Sequence, residues 1–158
     1  MRKVLADTCV YSNFALIGRF DVLERLYGRD LAITRLVVAE IARGTSRLPG
    51  LGVGLEAVRE GRLEVIDEID PDELALMLNL PPKFSPADKT CIAVAVRRRW
   101  TLLTDEKAML KECARRGAAT LKTDDVLREA VRAGFLRTED LSEIADVMER
   151  MANYRPAI

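Results

Sequence analysis

Four acidic residues carry the chemistry that this sequence suggests. They are Asp7, Glu40, Asp88 and Asp105. Four carboxylates cannot share a small pocket without mutual repulsion, and a hard divalent cation such as Mg²⁺ or Mn²⁺ relieves that repulsion through its oxygen ligands. A site of this kind supports hydrolysis of a phosphodiester bond, because the metal activates water and neutralises charge on the phosphate. The acids act in this way only if the fold brings them together.

Asp7 and Asp105 each follow a short apolar run that predicts a buried parallel strand. The runs are Val4-Leu5-Ala6 and Leu102-Leu103-Thr104. The carboxyl ends of parallel strands form the edge at which open α/β folds bind ligands, so we expect both acids at that edge. Each acid also has a purely structural interpretation. Asp7 fits a turn after a strand, and Asp105 fits a favourable charge in the first turn of the next helix.

Glu40 falls within the apolar stripe of a predicted helix. The stripe consists of Leu36, Val37 and Ile41. A carboxylate at such a position is desolvated, which is costly unless a cation compensates its charge. A metal ion would do so, and so would an ion pair with Arg35 or Arg43.

Asp88 lies near the start of another predicted helix. Ser85-Pro86-Ala87-Asp88 fits a capping box, with Ser85 as N-cap and an acid at the third helical position. The same side chain stacks over the apolar face that must meet the sheet. Capping and metal binding both explain Asp88.

The predicted elements alternate between strands and helices, which indicates a parallel sheet with helices on both faces, a three-layer α/β/α sandwich. The predicted strands are residues 4–7, 31–33, 63–67, 101–104 and 119–121. The predicted helices are residues 14–27, 35–43, 55–59, 72–80, 86–99, 105–116, 123–133 and 138–151, with a loop over 45–54. We predict one domain over residues 1–158, with a core over 1–134 and a helical appendage over 135–158.

Composition excludes several classes of chemistry. The chain has no histidine, which excludes Ser-His-Asp and Cys-His catalysis and any site that needs imidazole. Its three cysteines are far apart, and we expect buried thiols in a reducing compartment. Asp7 interrupts the apolar stretch that a signal peptide would need after Met1-Arg2-Lys3, and no run is long enough to cross a membrane. We therefore expect a cytoplasmic protein.

Positive and negative charges balance at 25 each, so no global field attracts nucleic acid. The cluster Arg97, Arg98 and Arg99 is a local candidate for contacting an RNA backbone. The end of a helix also favours cations through its dipole, which explains the same cluster without RNA.

Four segments together resemble a PIN-domain ribonuclease over roughly residues 3–135. They are Val-Leu-Ala-Asp7-Thr8, Val-Val-Ala-Glu40-Ile, Ser-Pro-Ala-Asp88-x-x-x-Ile92-Ala93 and Leu-Leu-Thr104-Asp105. The resemblance implies a PIN-like fold and an Mg²⁺- or Mn²⁺-dependent endoribonuclease with one or two ions. By the same resemblance Asp7, Glu40, Asp88 and Asp105 are the catalytic, metal-binding acids, and Thr104 supports them.

The segment from Leu121 to Gly134 and the helix after it resemble a prokaryotic PIN subgroup with an extra carboxyl-terminal helical piece. Many such proteins are toxins, which implies an RNA substrate, an antitoxin protein as partner and a homodimer. One departure is Lys89, which stands beside Asp88 and weakens metal binding if it folds inward. A catalytically weakened PIN-like module that binds RNA or protein is therefore the alternative function. An aspartyl-phosphate enzyme fits less well, because Cys9 stands where a dehalogenase-like phosphatase needs a second acid.

Overall fold

The computed structural model describes residues 3–158, so Met1 and Arg2, on which part of the signal-peptide argument rests, lie outside the described residues. The sheet has five strands, and every neighbouring pair in it is parallel. The strands are β1 (Val4–Ala6), β2 (Leu31–Thr34), β3 (Glu64–Ile66), β4 (Thr101–Leu103) and β5 (Thr120–Leu121). Their order is β3-β2-β1-β4-β5, which places β1 at the centre with β2 and β4 on either side.

Helices cover the sheet in a three-layer α/β/α arrangement, which confirms the predicted fold class. They are α1 (Thr8–Leu16), α2 (Phe20–Tyr27), α3 (Arg35–Gly44), α4 (Gly52–Arg59), α5 (Pro71–Asn79), α6 (Pro86–Arg98), α7 (Lys107–Arg115), α8 (Thr123–Arg132) and α9 (Leu141–Ala152). Helix α6 packs across β1, β2 and β4, and its residues 90–95 are all buried. None of the helices in residues 3–158 has the length and hydrophobicity that crossing a lipid bilayer requires.

The single helix predicted over residues 14–27 is wrong, because two helices occupy this region. Helix α1 ends at Leu16, and Gly18 then takes a φ of 71°, a conformation that side-chain-bearing residues rarely adopt. Most of α1, Thr-Cys-Val-Tyr-Ser-Asn, consists of weak helix formers, so its sequence does not announce a helix. Burial of Val10 and Phe14 in the core stabilises α1 instead.

The loop predicted over residues 45–54 is shorter than expected, because α4 already begins at Gly52. Gly54 lies inside this helix, where a Cβ atom would stand only 1.7 Å from the Tyr11 hydroxyl. The glycine therefore allows α4 to approach α1 closely, and it is not a sign of a flexible loop.

The carboxyl-terminal segment packs on the same core as the rest of the chain. Helix α9 lies against α1, and its Met148 side chain is fully buried. Tyr154 follows α9 and donates a hydrogen bond to Asp124 Oδ1 at 2.9 Å. The division into a core over 1–134 and an appendage over 135–158 stays a prediction.

Candidate active site

The topology brings the predicted acids to one edge of the sheet. Asp7 directly follows β1, Asp105 comes two residues after β4, and Glu40 lies on α3, which begins where β2 ends. Because β2, β1 and β4 are parallel neighbours, these three acids share the carboxyl edge. Asp88 joins them, since α6 leads into the amino end of β4 and must therefore begin at the opposite edge.

Asp7 is the most deeply placed of these acids, with only 1% of its surface exposed. Its Oδ1 accepts the Val10 N–H at 2.8 Å and so caps α1. Its Oδ2 and the neighbouring Thr8 Oγ1 are buried, and neither finds a hydrogen-bond partner within residues 3–158. A buried oxygen without a partner is costly, so one side of Asp7 is left uncompensated.

The electrostatics of this edge show the same lack of compensation. Burial raises the pKa of Asp7 to about 7, and the charges of Asp105 and Glu106 add to that effect. The nearby Thr104 hydroxyl and the Val10 amide oppose the rise. A carboxyl group so far above its ordinary pKa indicates a desolvated carboxylate with no cation beside it.

Glu40 is half-buried, and its structural interpretation through Arg35 is wrong. Arg35 instead contacts Asp67, which directly follows β3, at 2.6 Å. Burial, followed by repulsion from Asp88, raises the pKa of Glu40, while the nearby Thr8 hydroxyl and then Arg43 lower it only in part. No ion pair to Glu40 forms within the described part of the chain.

Asp88 has the capping role that its sequence predicts. Its backbone N–H donates to Ser85 Oγ at 3.1 Å, and its Oδ2 accepts the Ser85 N–H at 3.4 Å. The second contact is long, and the carboxylate is close enough to Glu40 to raise that residue's pKa. Capping and a place among the acids are therefore compatible.

Asp105 uses its carboxylate to hold other elements together. Its Oδ1 accepts the Thr123 N–H at 2.8 Å, and its Oδ2 accepts the Thr123 hydroxyl at 2.7 Å. The same Oδ2 accepts Asn13 Nδ2 at 3.0 Å. The interpretation of Asp105 as a first-turn charge is wrong, because α7 begins only at Lys107. Asp105 links the starts of α7 and α8 to α1.

Glu106 is the acid that the sequence argument missed. It occupies the N-cap position of α7, yet its side chain makes no capping hydrogen bond. Its carboxylate instead accepts the Cys9 thiol at 3.3 Å, and its charge raises the pKa of both Asp7 and Glu40. The sequence signal that could have identified Glu106 is the pair of successive acids, Asp105 and Glu106, after a buried strand. When the fold engages one acid of such a pair, the other can face the site.

Thr104 is buried directly before these two acids. Its hydroxyl oxygen accepts the Glu106 N–H at 3.2 Å, so it fixes the backbone that presents Glu106. This contact agrees with a supporting role, which stays a prediction.

The comparisons with known proteins agree with the fold. A family model described as a PIN domain matches residues 3–156. The chain belongs to the PIN-domain family. Among solved structures, the crystal structure of PAE2754 from Pyrobaculum aerophilum is similar in fold, with a TM-score of 0.56 and 17% sequence identity, covering 85% of this chain and 98% of that chain. No protein with a curated description matches this chain.

Membership of the family carries a general functional implication. PIN domains are typically nucleases and generally use divalent metals. The resemblance that the four motifs suggest is thereby confirmed at the level of family and fold.

The donor chemistry of this PIN domain fits a divalent cation. Every candidate ligand is an oxygen, and Asp7 Oδ2 is a buried oxygen that lacks a partner. As the side chains stand, no three acidic or thiol groups in residues 3–158 are close enough together to hold one ion. A metal ion would have to draw the half-exposed Glu40, Asp88 and Glu106 side chains toward Asp7.

The arginine cluster lies at the other end of α6 in this PIN domain. Ten residues separate Asp88 from Arg98, which is about 15 Å along the helix axis. Arg97 contacts Asp72 at 3.2 Å, and Arg98 contacts the fully buried Glu73 at 2.7 Å. These contacts give two of the three arginines a structural explanation. A role of Arg97, Arg98 and Arg99 in RNA binding stays a prediction.

Proposed function

We propose that this PIN-domain protein is a metal-dependent endoribonuclease that hydrolyses phosphodiester bonds in RNA. One observation carries the proposal: Asp7 Oδ2 is buried without a partner at the edge where Glu40 and Glu106 add negative charge. A divalent cation relieves that cost, and carboxylate oxygens are the ligands that Mg²⁺ and Mn²⁺ prefer. The family supports the proposal because PIN domains are typically nucleases.

When bound, one or two Mg²⁺ or Mn²⁺ ions would activate water and neutralise charge on the phosphate. In this proposal Asp7 is the innermost ligand, because its cap bond to Val10 already fixes its orientation. Glu40, Asp88 and Glu106 hold the outer side of the same site. Asp105, the fourth acid of the sequence prediction, positions the site through Thr123 and Asn13 and is the weakest candidate for direct metal contact.

Cleavage of a labelled single-stranded RNA tests the proposal, with Mg²⁺ or Mn²⁺ against EDTA. We expect metal-dependent cleavage by the wild type and a loss of more than about a hundredfold in Asp7→Asn, beyond the loss typical of residues that only support a metal ligand. Asparagine keeps the helix cap, so the variant should fold. Asp72→Asn is the matched control, because Asp72 is exposed on α5 and, among residues 3–158, pairs only with Arg97.

Binding of Mn²⁺ gives a readout that does not depend on cleavage. We expect Mn²⁺ to raise the melting temperature of the wild type and of Asp72→Asn, but not that of Asp7→Asn. Equal cleavage with and without EDTA in all variants would contradict the proposal. RNA binding with no metal-dependent cleavage would favour the alternative, a catalytically weakened PIN-like binding module.

The finer proposal is that this nuclease is a cytoplasmic toxin that acts as a homodimer and is restrained by an antitoxin. Exposed leucines on α3 and α5 support association, since Leu36, Leu74 and Leu78 are 39%, 50% and 79% exposed. Expression of the wild type should arrest growth, while Asp7→Asn should not. In sedimentation, Leu78→Glu should shift a wild-type dimer to monomer. Normal growth in the presence of an active nuclease would contradict the toxin role. A monomeric wild type would contradict the homodimer.

A further inference from the structure

A shallow, open groove lined by lysines lies between the loop before α6 and the exposed face of α7. Its volume is about 650 Å³. Three lysines line it, together with a small apolar floor: Lys83, Lys107, Lys111, Ala108, Leu110 and Ala114. No acidic side chain from residues 3–158 lines the groove. It is therefore both positively charged and apolar.

Lysine is rare in this chain and is concentrated at this place. The chain contains six lysines against nineteen arginines. Four of the six fall between residues 83 and 111: Lys83, Lys89, Lys107 and Lys111. The other two are used in ion pairs, Lys3 with Glu64 and Lys122 with Asp124. Across the part of the chain that the structure describes, none of the four clustered lysines makes such a pair.

The stability of the helices does not explain these lysines. Lys107 is the first residue of α7, and Lys83 lies just before Ser85, the N-cap of α6. A cation near the amino end of a helix is unfavourable to the helix dipole. Arginines such as Arg98 and Arg115 occupy last turns, where the dipole favours them. Lys107 therefore opposes the dipole of α7, and helix stability does not account for the cluster, which points to a binding role.

The groove begins beside the acids of the candidate active site. Lys107 directly follows Glu106, and Lys83 stands two residues before Ser85, which binds Asp88. A strand that places one phosphate at the acids can therefore continue directly along the lysines.

We propose that this groove binds the backbone of a single-stranded RNA on one side of the bond to be cut. The lysines would contact successive phosphates, and the floor around Leu110 would contact the faces of unpaired bases. Duplex RNA keeps those faces stacked inside its helix, so the apolar floor favours a single strand. The inference rests on the proposed ribonuclease function and adds to it the surface of this chain that holds the RNA beside the acids.

The arginine cleft at the opposite edge is the competing surface. Arg97, Arg99 and Arg116 line a cavity of about 550 Å³ there. Arg97 contacts Asp72, and Arg116 contacts Glu112 at 2.8 Å, so two of its three charges are already compensated. The cleft also lies about 15 Å from Asp88 along α6, too far to hold the neighbouring phosphates of the same strand.

Fluorescence anisotropy with a labelled single-stranded oligouridylate in EDTA tests the groove, because binding is then measured without any cleavage. We expect Lys83→Ala/Lys107→Ala/Lys111→Ala to bind roughly tenfold more weakly than the wild type at low salt. Loss of three phosphate contacts should also reduce the slope of log affinity against log salt by about 2. Because the assay measures binding alone, its result can be interpreted even if the protein proves not to be a nuclease.

Two variants serve as controls, each checked for an unchanged melting temperature. Arg29→Ala/Arg59→Ala/Arg132→Ala removes the same charge from exposed arginines elsewhere, and Arg97→Ala/Arg99→Ala probes the competing cleft. We expect near-wild-type affinity and salt slope from both. Three outcomes would overturn the inference. They are an equal loss of RNA affinity in the lysine and control variants, a loss of affinity only in Arg97→Ala/Arg99→Ala, and no RNA binding by the wild type.

Competition separates RNA from an acidic protein partner. We expect oligouridylate to bind more tightly than polyglutamate of equal charge, and a matching RNA duplex to bind more weakly than the single strand. Equal or tighter binding of polyglutamate would show that the groove binds any negatively charged chain, which would overturn its assignment to RNA.

Discussion

Two buried carboxylates in this protein have opposite surroundings. Glu73 on α5 is fully buried and meets the Arg98 guanidinium at 2.7 and 2.9 Å, while also accepting the Asp70 N–H at 3.0 Å. Asp7 is almost as deeply buried, yet one of its oxygens has no partner in residues 3–158. Glu73 thus stabilises the fold, whereas Asp7 costs stability and is compensated only if a cation binds.

Glu112 extends the comparison to a third buried acid. It is 7% exposed and is held by Arg115 and by Arg116, and this contact lowers its pKa. The pKa of Asp7 shifts the other way. The buried acids Glu73 and Glu112 are therefore paired with arginines, whereas Asp7 has no such partner in residues 3–158.

The largest expected effect comes from breaking the Glu73 pair. Glu73→Ala leaves Arg98 partly buried without its partner and removes one cap bond. We therefore expect a loss of about 3 kcal/mol in the free energy of unfolding. This value is at the low end for buried pairs because Arg98 is partly exposed. Urea denaturation measures it. The exposed Glu139→Ala is the control and should change stability by less than about 0.5 kcal/mol. Equal effects would contradict the structural role of Glu73.

The pH dependence of stability without metal should reveal that the buried Asp7 carboxylate is uncompensated. Its folded-state pKa of about 7 lies above the ordinary 3.8, so the folded protein binds the proton more tightly than the unfolded chain. This contribution is fully present below the ordinary pKa and is lost as the pH rises through about 7. Between about pH 5 and 8 in EDTA, we expect wild type to lose about 2.5 kcal/mol relative to Asp7→Asn. Parallel urea curves for the two proteins would contradict the uncompensated state of Asp7.

Substitution of the neighbouring acids Asp105 and Glu106 should distinguish a structural acid from a metal ligand. We expect these effects to be smaller than those above. Glu106→Gln should raise the Mn²⁺ concentration needed for thermal stabilisation by at least about tenfold, with little change in metal-free stability. Asp105→Asn should lower metal-free stability by about 1–2 kcal/mol, because the amide NH₂ conflicts with the donors from Thr123 and Asn13. Thermal shift with a Mn²⁺ titration measures both. The reverse pattern would make Asp105 the metal ligand and Glu106 the structural acid.

The smallest expected effect concerns the segment after α9. Tyr154→Phe removes the hydrogen bond to Asp124, and we expect a loss of about 1 kcal/mol in the free energy of unfolding. Urea denaturation measures this as well. No loss would show that the segment does not brace the start of α8, whereas a loss above about 3 kcal/mol would point to a larger network around Asp105.

The sequence alone determined the features that depend on neighbours within a strand or a turn. Alternating strands and helices predicted the parallel α/β fold, and the strand-end positions of Asp7 and Asp105 predicted the edge on which they lie. The Ser85–Asp88 capping box was also readable, because its donors and acceptors lie three residues apart. These predictions needed only local geometry.

The tertiary structure decided which of these groups are free. Asp105 is engaged by Asn13, 92 residues away, and that contact leaves Glu106 as the acid facing Asp7 and Glu40. Helix α1 forms from weak helix formers because the core buries one of its faces. Whether a charge is compensated depends on partners that only the folded chain brings close. The sequence could therefore name the acids and basic clusters, but it could not show which Asp7 oxygen and which lysines lack partners among the described residues.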